Sequence, residues 1–266
     1  MSNSKIEKVN LYSNVLQKDM SFSIYLPCAY DNVSRLPVLY FLHGRSGDEN
    51  IIFELDIFDT VNRLIQNEKI KPLIIVCPRM ENSRGLNSSS ITQEIVSTDL
   101  NGQTIHLGRY EDYFMKEIIP FIDCAYKTIG NKEGRYIGGV SAGGYAALNY
   151  GLRFSDMFSK VGGHMPALEL QLDREDIPYF NTIDIWNKYN PLSIAENNDA
   201  INSDLHVYLD AGNNDEGGFY NGCLELYNIL KERGINVQNH IFEGHHNIAY
   251  VKSNFEKYLI FYAANN

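Results

Sequence analysis

A serine between glycines stands near the middle of the chain, in the run Gly139-Val140-Ser141-Ala142-Gly143 that Gly144 follows. The local pattern predicts a short strand before it and a helix after it. Flanking glycines let a strained strand-to-helix turn pass close to neighbouring backbone while the serine hydroxyl is held outward. Average glycine and serine usage gives only about 0.1 chance matches to this spacing in a chain of this length. The pattern therefore predicts a nucleophile elbow with Ser141 as the nucleophile.

A serine hydroxyl is a weak nucleophile at neutral pH and needs a base, commonly a histidine. Where an elbow of this kind occurs, the acid and then the histidine follow the serine along the chain. The last predicted strand ends at Phe242, and His245 and His246 stand just after it. Both stay open as the base on local grounds. The remaining histidines precede the serine, come too early or lie within a strand: His43, His106, His164, His206 and His240.

The carboxylate that orients the base is expected in the loop after the strand predicted over 205–210. Asp210 and Asp215 both lie there. Asp210 ends the strand, where aspartates commonly bond backbone amides of the following loop. Asp215 is therefore favoured, and Asp210 stays open.

Two hydrogen-bond donors must face the oxyanion of a tetrahedral intermediate. The backbone N–H of Ala142, directly after the nucleophile, is one candidate. The other is expected in the loop 43–47, most simply the N–H of Arg45. Gly44 and Gly47 would let this loop approach the serine closely. The Arg45 side chain itself is expected to be solvated.

Strands and helices alternate along most of the chain, which predicts an α/β fold with a mainly parallel sheet and helices on both faces. The first two strands should pair as a hairpin. The predicted strands cover 9–16, 20–26, 37–42, 73–77, 135–140, 159–162, 205–210 and 237–242. The predicted helices cover 57–67, 110–126 with a kink or break at Pro120, 142–153, 220–233 and 248–263.

The composition suits one globular domain over 1–266, because 44% of the 266 residues are hydrophobic and 21% are charged. The segments near 79–108 and 164–200 lack periodicity and are expected as excursions that shape the pocket. Asn82, Ser88, Trp186 and Tyr189 are candidates for its wall. The formal net charge of −10 disfavours a nucleic-acid partner.

The remaining bulk features predict a cytoplasmic protein without a membrane partner. The N-terminal residues have no basic region followed by an apolar one, and the apolar runs are too short to span a bilayer. The four cysteines are far apart and suggest neither a disulfide framework nor a zinc site, so reduced and mostly buried thiols are expected. They are Cys28, Cys77, Cys124 and Cys223.

At these motifs the chain resembles an esterase family of α/β-hydrolases that includes S-formylglutathione hydrolases (esterase D), feruloyl and acetylxylan esterases, enterochelin esterases and the antigen 85 mycolyltransferases. The resemblance covers nearly the whole chain. Besides the Ser141 elbow it is carried by Ile24-Tyr25-Leu26-Pro27, Leu42-His43-Gly44, Glu117-Ile118-Ile119-Pro120-Phe121-Ile122-Asp123, Ala211-Gly212-Asn213-Asn214-Asp215 and Glu243-Gly244-His245-His246-Asn247.

The resemblance implies an α/β-hydrolase fold and selects Asp215 as acid and His246 as base, because relatives show Gly-x-x-Asp and Gly-x-His-Asp or Gly-x-His-Asn at these places. Two departures leave the substrate open. Ala142 stands where Met or Leu is frequent, and a Trp that often follows the catalytic His is absent.

The function implied is that of a serine carboxylesterase acting on a small-molecule ester, short-chain or carbohydrate-linked, through an acyl-enzyme. No metal or organic cofactor is expected, and the oligomeric state is left open. One alternative is a thioesterase like S-formylglutathione hydrolase. The other is a non-catalytic binding protein on the same fold.

Overall fold

A computed structural model describes residues 3–265, which form an eight-stranded mixed sheet and a separate two-stranded hairpin. The order in the large sheet is β1-β2-β4-β3-β7-β8-β9-β10. Strands β1, β2 and β4 pair antiparallel, and the pairs from β4 to β10 run parallel. The strands are β1 (Lys5–Ser13), β2 (Lys18–Leu26), β3 (Val38–Leu42), β4 (Ile74–Pro78), β5 (Gln93–Ser97), β6 (Gln103–Leu107), β7 (Arg135–Ser141), β8 (Lys160–Pro166), β9 (His206–Gly212) and β10 (Asn236–Phe242). The predicted mainly parallel sheet is confirmed.

Helices cover both faces of this sheet, and a π-helical turn at Phe114–Ile118 separates two of them. The helices are α1 (Ile51–Glu54), α2 (Ile57–Gln66), α3 (Tyr110–Tyr113), α4 (Ile119–Ala125), α5 (Ala142–Arg153), α6 (Ile177–Phe180), α7 (Ile183–Tyr189), α8 (Pro191–Asn197), α9 (Phe219–Glu232) and α10 (Ile248–Ala263). Short 3₁₀ turns lie at Tyr30–Asn32, Lys132–Gly134 and Arg174–Asp176.

The central strand β3 shows why these segments read as continuous apolar runs. All five of its residues are buried. Val38, Tyr40 and Leu42 pack into a core with α3, α4, α5 and α9, whereas Leu39 and Phe41 pack into a second core with α1, α2 and α10. A strand covered on both faces has no solvent-exposed side, so its residues do not alternate between apolar and polar.

The N-terminal hairpin is present, but its first strand is shifted from the predicted 9–16. Strand β1 pairs from Lys5 to Ser13, and the turn begins at the next residue. The Glu117 carboxylate accepts the Val15 N–H at 3.1 Å, and the Leu16 side chain is buried. These two apolar residues thus belong to a turn that packs on the core, which strand periodicity cannot distinguish from a strand.

Both segments predicted to be irregular contain secondary structure. Residues 79–108 include the β5–β6 hairpin, whose outer face leaves Val96 72% exposed. Residues 164–200 include the end of β8 and the short helices α6 to α8. Elements this short give a weak periodic signal, so the sequence pattern missed them.

The helical segment that starts at Tyr110 is irregular just before Pro120. The π-helical turn at Phe114–Ile118 comes directly before α4, and Pro120 lies in the first turn of α4. The expected irregularity is therefore a local widening of the helix.

The cysteines are buried less completely than expected, since Cys77 and Cys223 are buried whereas Cys28 and Cys124 are exposed. Within residues 3–265, no helix combines the length and the apolar character needed to cross a bilayer.

The close packing of β8 against α10 leaves no space for a side chain at Gly162. A Cβ there would lie 1.9 Å from the Tyr262 Oη and 2.6 Å from the His164 Nε2. We expect Gly162→Ala to lower the free energy of unfolding by about 1–3 kcal/mol through overpacking. Urea unfolding measures this, with Gly130→Ala as control, because a Cβ at exposed Gly130 meets nothing closer than 3.4 Å. Equal unfolding midpoints for the two variants would contradict the packing described.

Candidate active site

Ser141 occupies the turn between β7 and α5. Its φ of +52° and ψ of −118° are strained for a residue with a side chain, at a cost on the order of 1–3 kcal/mol. The turn is possible because its neighbours lack side chains. A Cβ on Gly139 would lie 2.6 Å from the Gly143 backbone, and one on Gly143 would lie 2.3 Å from the His43 carbonyl oxygen. The predicted strand-to-helix elbow is therefore present in the structure.

The structure brings Ser141, His246 and Asp215 into one hydrogen-bonded chain. The His246 Nε2 lies 2.9 Å from the Ser141 Oγ, and the His246 Nδ1 lies 2.8 Å from the Asp215 Oδ2. The Asp215 side chain is buried, whereas that of His246 is 22% exposed toward the cavity. Because an ionised carboxylate only accepts hydrogen bonds, the Nδ1 carries the proton and the Nε2 is free to accept one from the serine.

The loops that carry Asp215 and His246 are tied to each other at their bases. They follow β9 and β10, which are paired in parallel and therefore end at the same edge of the sheet. The Asn213 N–H donates to the Phe242 carbonyl at 2.8 Å, and the Asn214 N–H donates to the Gly244 carbonyl at 2.9 Å. These backbone hydrogen bonds hold the two loops at a fixed distance, so the Asp215 and His246 side chains lie within reach of each other.

Glu216 holds the histidine loop from outside, and sequence reasoning missed it. Its carboxylate accepts the His246 N–H at 3.2 Å and faces the His245 Nδ1 at 2.7 Å. Hydrogen bonds from its own amide, from the His245 ring and from the His246 amide lower the pKa of Glu216 to about 2. His245, 58% exposed, thus lies outside the chain that contains Ser141.

Asp210, the alternative acid, lies in the core. Its side chain is fully buried and accepts hydrogen bonds from the Tyr250 hydroxyl at 2.6 Å and the Tyr258 hydroxyl at 2.8 Å. The His164 Nδ1 lies 3.2 Å from it, and burial lowers the pKa of His164. These contacts join β8 and β9 to α10 and leave Asp210 without a bond to His246 among the described residues.

The two residues predicted to supply oxyanion donors are Ala142, which follows Ser141 in the chain, and Arg45, whose turn packs against Ser141. Ala142 is the first residue of α5, so its N–H has no acceptor within the helix. Arg45 belongs to the turn 44–47, which packs so closely that a Cβ on Gly44 would lie 3.3 Å from the Ser141 Cβ. The Arg45 side chain is 25% exposed and donates to Glu175 at 2.6 Å, so it is less solvated than expected.

The hydrogen-bonded chain opens into a cavity of about 530 Å³. Its wall comes from the loop 43–47, helix α1, the elbow, several residues between 165 and 176, and the starts of α9 and α10. Phe219 lies edge-on to the His246 ring at a centroid distance of 5.1 Å, a contact that no motif signalled. Among the described residues, none of 79–108 lines this cavity directly, but Arg84 of that segment pairs with Glu169 and Asp176 of its wall. Trp186 and Tyr189 do not line it and pack with the core.

Carboxylates dominate the charged lining of the cavity. Glu175 pairs with Arg45, and the buried Arg84 pairs with Glu169 and Asp176, each at 2.6 Å. Burial raises the pKa of Asp176 to about 7, although Arg84 lowers it. The acidic side chains on this wall are Glu54, Glu169, Asp173, Glu175 and Asp176. Even with Asp176 protonated they outnumber the two arginines, so this wall carries a net negative charge.

Comparison with known proteins supports the same family as the motifs. A family model described as "Putative esterase" matches residues 13–262. Esterase MT1326 of Mycobacterium tuberculosis is 27% identical over 152 residues, which is 57% of this chain and 30% of that protein. The chain thus spans about a third of the length of this curated relative.

Solved structures match over almost their whole length. A ferulic acid esterase superposes with a TM-score of 0.82 at 24% identity, covering 99% of this chain and 98% of that one. An S-formylglutathione hydrolase from Agrobacterium tumefaciens superposes with a TM-score of 0.79 at 16% identity, covering 98% and 95%. At these identities the superpositions establish the fold, and the family model covers most of the chain. The chain therefore belongs to this esterase family and has its α/β-hydrolase fold.

Proposed function

We propose that this chain is a serine carboxylesterase that hydrolyses short-chain or carbohydrate-linked esters through an acyl-enzyme. The observation that carries the proposal is the hydrogen-bonded chain from Ser141 through His246 to Asp215, at 2.9 and 2.8 Å, at the wall of a cavity large enough for a small ester. Binding alone does not require a serine in a strained conformation whose hydroxyl is bonded to a histidine ring.

In the acylation step the Ser141 Oγ attacks the ester carbonyl carbon while its proton passes to the His246 Nε2. Asp215 accepts the Nδ1–H and stabilises the imidazolium that forms. The negative charge that develops on the carbonyl oxygen is met by the N–H groups of Ala142 and Arg45. His246 then gives its proton to the departing alkoxide, which leaves as the alcohol.

Deacylation repeats these steps with water. The His246 Nε2 takes a proton from water as the water oxygen attacks the acyl carbon bound to Ser141. Collapse of the second tetrahedral intermediate returns the proton to the Ser141 Oγ and releases the carboxylic acid. Both half-reactions balance without a cofactor.

The negative wall favours neutral or cationic esters over the glutathione thioester of the alternative function. Glutathione carries two carboxylates and one ammonium group, so its thioesters are anionic at neutral pH. A carboxylate about 8 Å from one unpaired wall charge is repelled by about 2 kcal/mol at an effective dielectric constant near 20. An uncharged alcohol or sugar meets no such repulsion.

With p-nitrophenyl acetate and butyrate we expect Ser141→Ala and His246→Ala to lower kcat by more than about 10³-fold, because each removes a partner in the proton transfer. His245→Ala is the matched control and should retain at least a third of the activity. A folded wild type that hydrolyses neither ester would leave the binding-protein alternative standing, and loss of activity in His245→Ala alone would reassign the base.

The two aspartates should separate catalysis from stability. Asp215→Asn should lower kcat by about 10⁴-fold with little change in unfolding, since an amide favours the wrong histidine tautomer. Asp210→Asn should lower the free energy of unfolding by about 1–3 kcal/mol, because its amide group would face buried hydroxyl donors. Steady-state kinetics and urea unfolding of both variants decide this. The reverse pattern would make Asp210 the acid.

Charge selectivity can be measured with acetyl thioesters that differ in the leaving group. We expect kcat/KM to be at least about tenfold higher for acetylthiocholine than for S-acetylglutathione at low salt, with the ratio shrinking as salt screens the exposed part of the wall. The variant Asp173→Asn, which removes an exposed wall charge, should narrow the ratio. Preference for the glutathione thioester would support the thioesterase alternative.

A further inference from the structure

His43 lies outside the hydrogen-bonded chain, yet both of its ring nitrogens are engaged beside the site. It follows β3 and is only 3% exposed. Its Nδ1 lies 2.8 Å from the carbonyl oxygen of Gly44, and its Nε2 accepts the backbone N–H of Met80 at 2.9 Å. A buried histidine that bonds two separate backbone segments fixes the conformation of the loop and does more than fill space.

The partners of His43 determine its tautomer. A backbone N–H can only donate, so the Nε2 facing Met80 must be unprotonated. A carbonyl oxygen can only accept, so the Nδ1 facing Gly44 must carry the proton. His43 is therefore a neutral imidazole that donates to the Gly44 carbonyl.

That carbonyl belongs to the same peptide unit as the Arg45 N–H. The Gly44 oxygen also accepts the Gly47 N–H at 3.1 Å, which closes the turn 44–47. In a trans peptide the C=O and the N–H point in opposite directions. Two donors that hold the oxygen on one side therefore hold the Arg45 N–H on the other side.

The Arg45 N–H has no acceptor among the described residues. It lies in the loop that touches Ser141, where a Cβ on Gly44 would be 3.3 Å from the Ser141 Cβ. An N–H in the wall of the cavity, with its direction set by the carbonyl behind it, is what an oxyanion donor requires. Leaving this N–H without a protein acceptor is unfavourable. The two hydrogen bonds to the Gly44 carbonyl, at the other end of the same peptide unit, offset this.

We propose that His43 is a positioning residue for the oxyanion site: by donating its Nδ1–H to the Gly44 carbonyl, it orients the Gly44–Arg45 peptide so that the Arg45 N–H faces the reacting carbonyl oxygen. The inference rests on the proposed function and adds a residue that does not touch the substrate. It predicts a loss in kcat with little change in KM, because the oxyanion exists only in the transition state and the tetrahedral intermediate.

The surroundings of His43 keep it in this neutral form. Burial lowers its pKa, and Arg79 acts in the same direction. The bond to Gly44 and the carboxylates of Asp48 and Glu49 oppose this, but burial is the larger effect. In a protonated ring the Nε2 would carry a hydrogen that faces the Met80 N–H, so the hydrogen bond between His43 and Met80 would be lost.

The first test compares two amides at His43. Asparagine carries an N–H₂ group near the position of the Nδ1 and can still donate to the Gly44 carbonyl, whereas glutamine reaches the position of the Nε2 and can only replace the bond to Met80. We expect His43→Gln to lower kcat with a p-nitrophenyl ester by about 10- to 10²-fold with KM within about threefold. His43→Asn should lose far less.

The second test asks whether His43 acts through the Arg45 amide. Arg45→Pro removes the N–H at the second position of a turn, where proline is well tolerated, and Arg45→Ala removes the same side chain but keeps the N–H. Adding His43→Gln should lower kcat about as much in the Arg45→Ala background as in the wild type and by less than about twofold in Arg45→Pro. Affinity for a trifluoromethyl ketone, whose serine adduct carries an oxyanion, should fall in parallel with kcat.

Several outcomes would overturn the inference. They are full activity in His43→Gln, equal losses in the asparagine and glutamine variants with equal unfolding midpoints, or the same further loss in the Arg45→Pro and Arg45→Ala backgrounds. If Arg45→Pro does not fold, the comparison of the two amides and the ketone affinity decide by themselves. A wild type without esterase activity would instead count against the proposed function.

Discussion

The contact between the first turn of α5 and the residue that follows β3 determines how Ser141 lies relative to the loop 43–47. It requires a glycine at position 143, since a Cβ there would lie 2.3 Å from the His43 carbonyl oxygen. This approach places the start of α5 beside the loop 43–47 and holds Ser141 in its strained conformation between them. The strain persists because the surrounding sheet and helix leave the turn no other path.

The parallel strands bring the remaining groups to the same place. β3, β7, β9 and β10 run in one direction, so the loops after them meet at one edge of the sheet. Three loops from distant parts of the chain thereby supply an oxyanion donor, the acid and the base. Further hydrogen bonds set orientations that the strand ends alone leave free: the Met80 N–H, after β4, donates to His43, and the His246 N–H donates to Glu216.

The tertiary environment gives different roles to residues that local sequence could not tell apart. Asp210 and Asp215 are five positions apart, but Asp210 lies within β9 and is enclosed by tyrosine hydroxyls and His164, whereas Asp215 lies in the loop after β9 and faces the His246 ring. His245 and His246 are neighbours, yet only one ring turns toward the serine. The negative charge of the cavity also depends on tertiary structure. The chain after β8 brings the acidic residues from 169 to 176 to the cavity wall.

The sequence by itself determined the α/β class, the elbow at Ser141 and a short set of partners, because glycine spacing and apolar periodicity are local consequences of backbone geometry. Helices α5 and α10 begin and end where their patterns predicted. Local sequence left two aspartates and two histidines open, and the tertiary structure joins Asp215 and His246 to Ser141, the pair that the family resemblance implied. Only the tertiary structure shows that the β5–β6 hairpin supplies none of the cavity's lining among the described residues, and that Glu216, Phe219 and His43 contact groups of the site. These outcomes depend on distances between residues far apart in the chain, and such distances leave no periodic trace in the sequence.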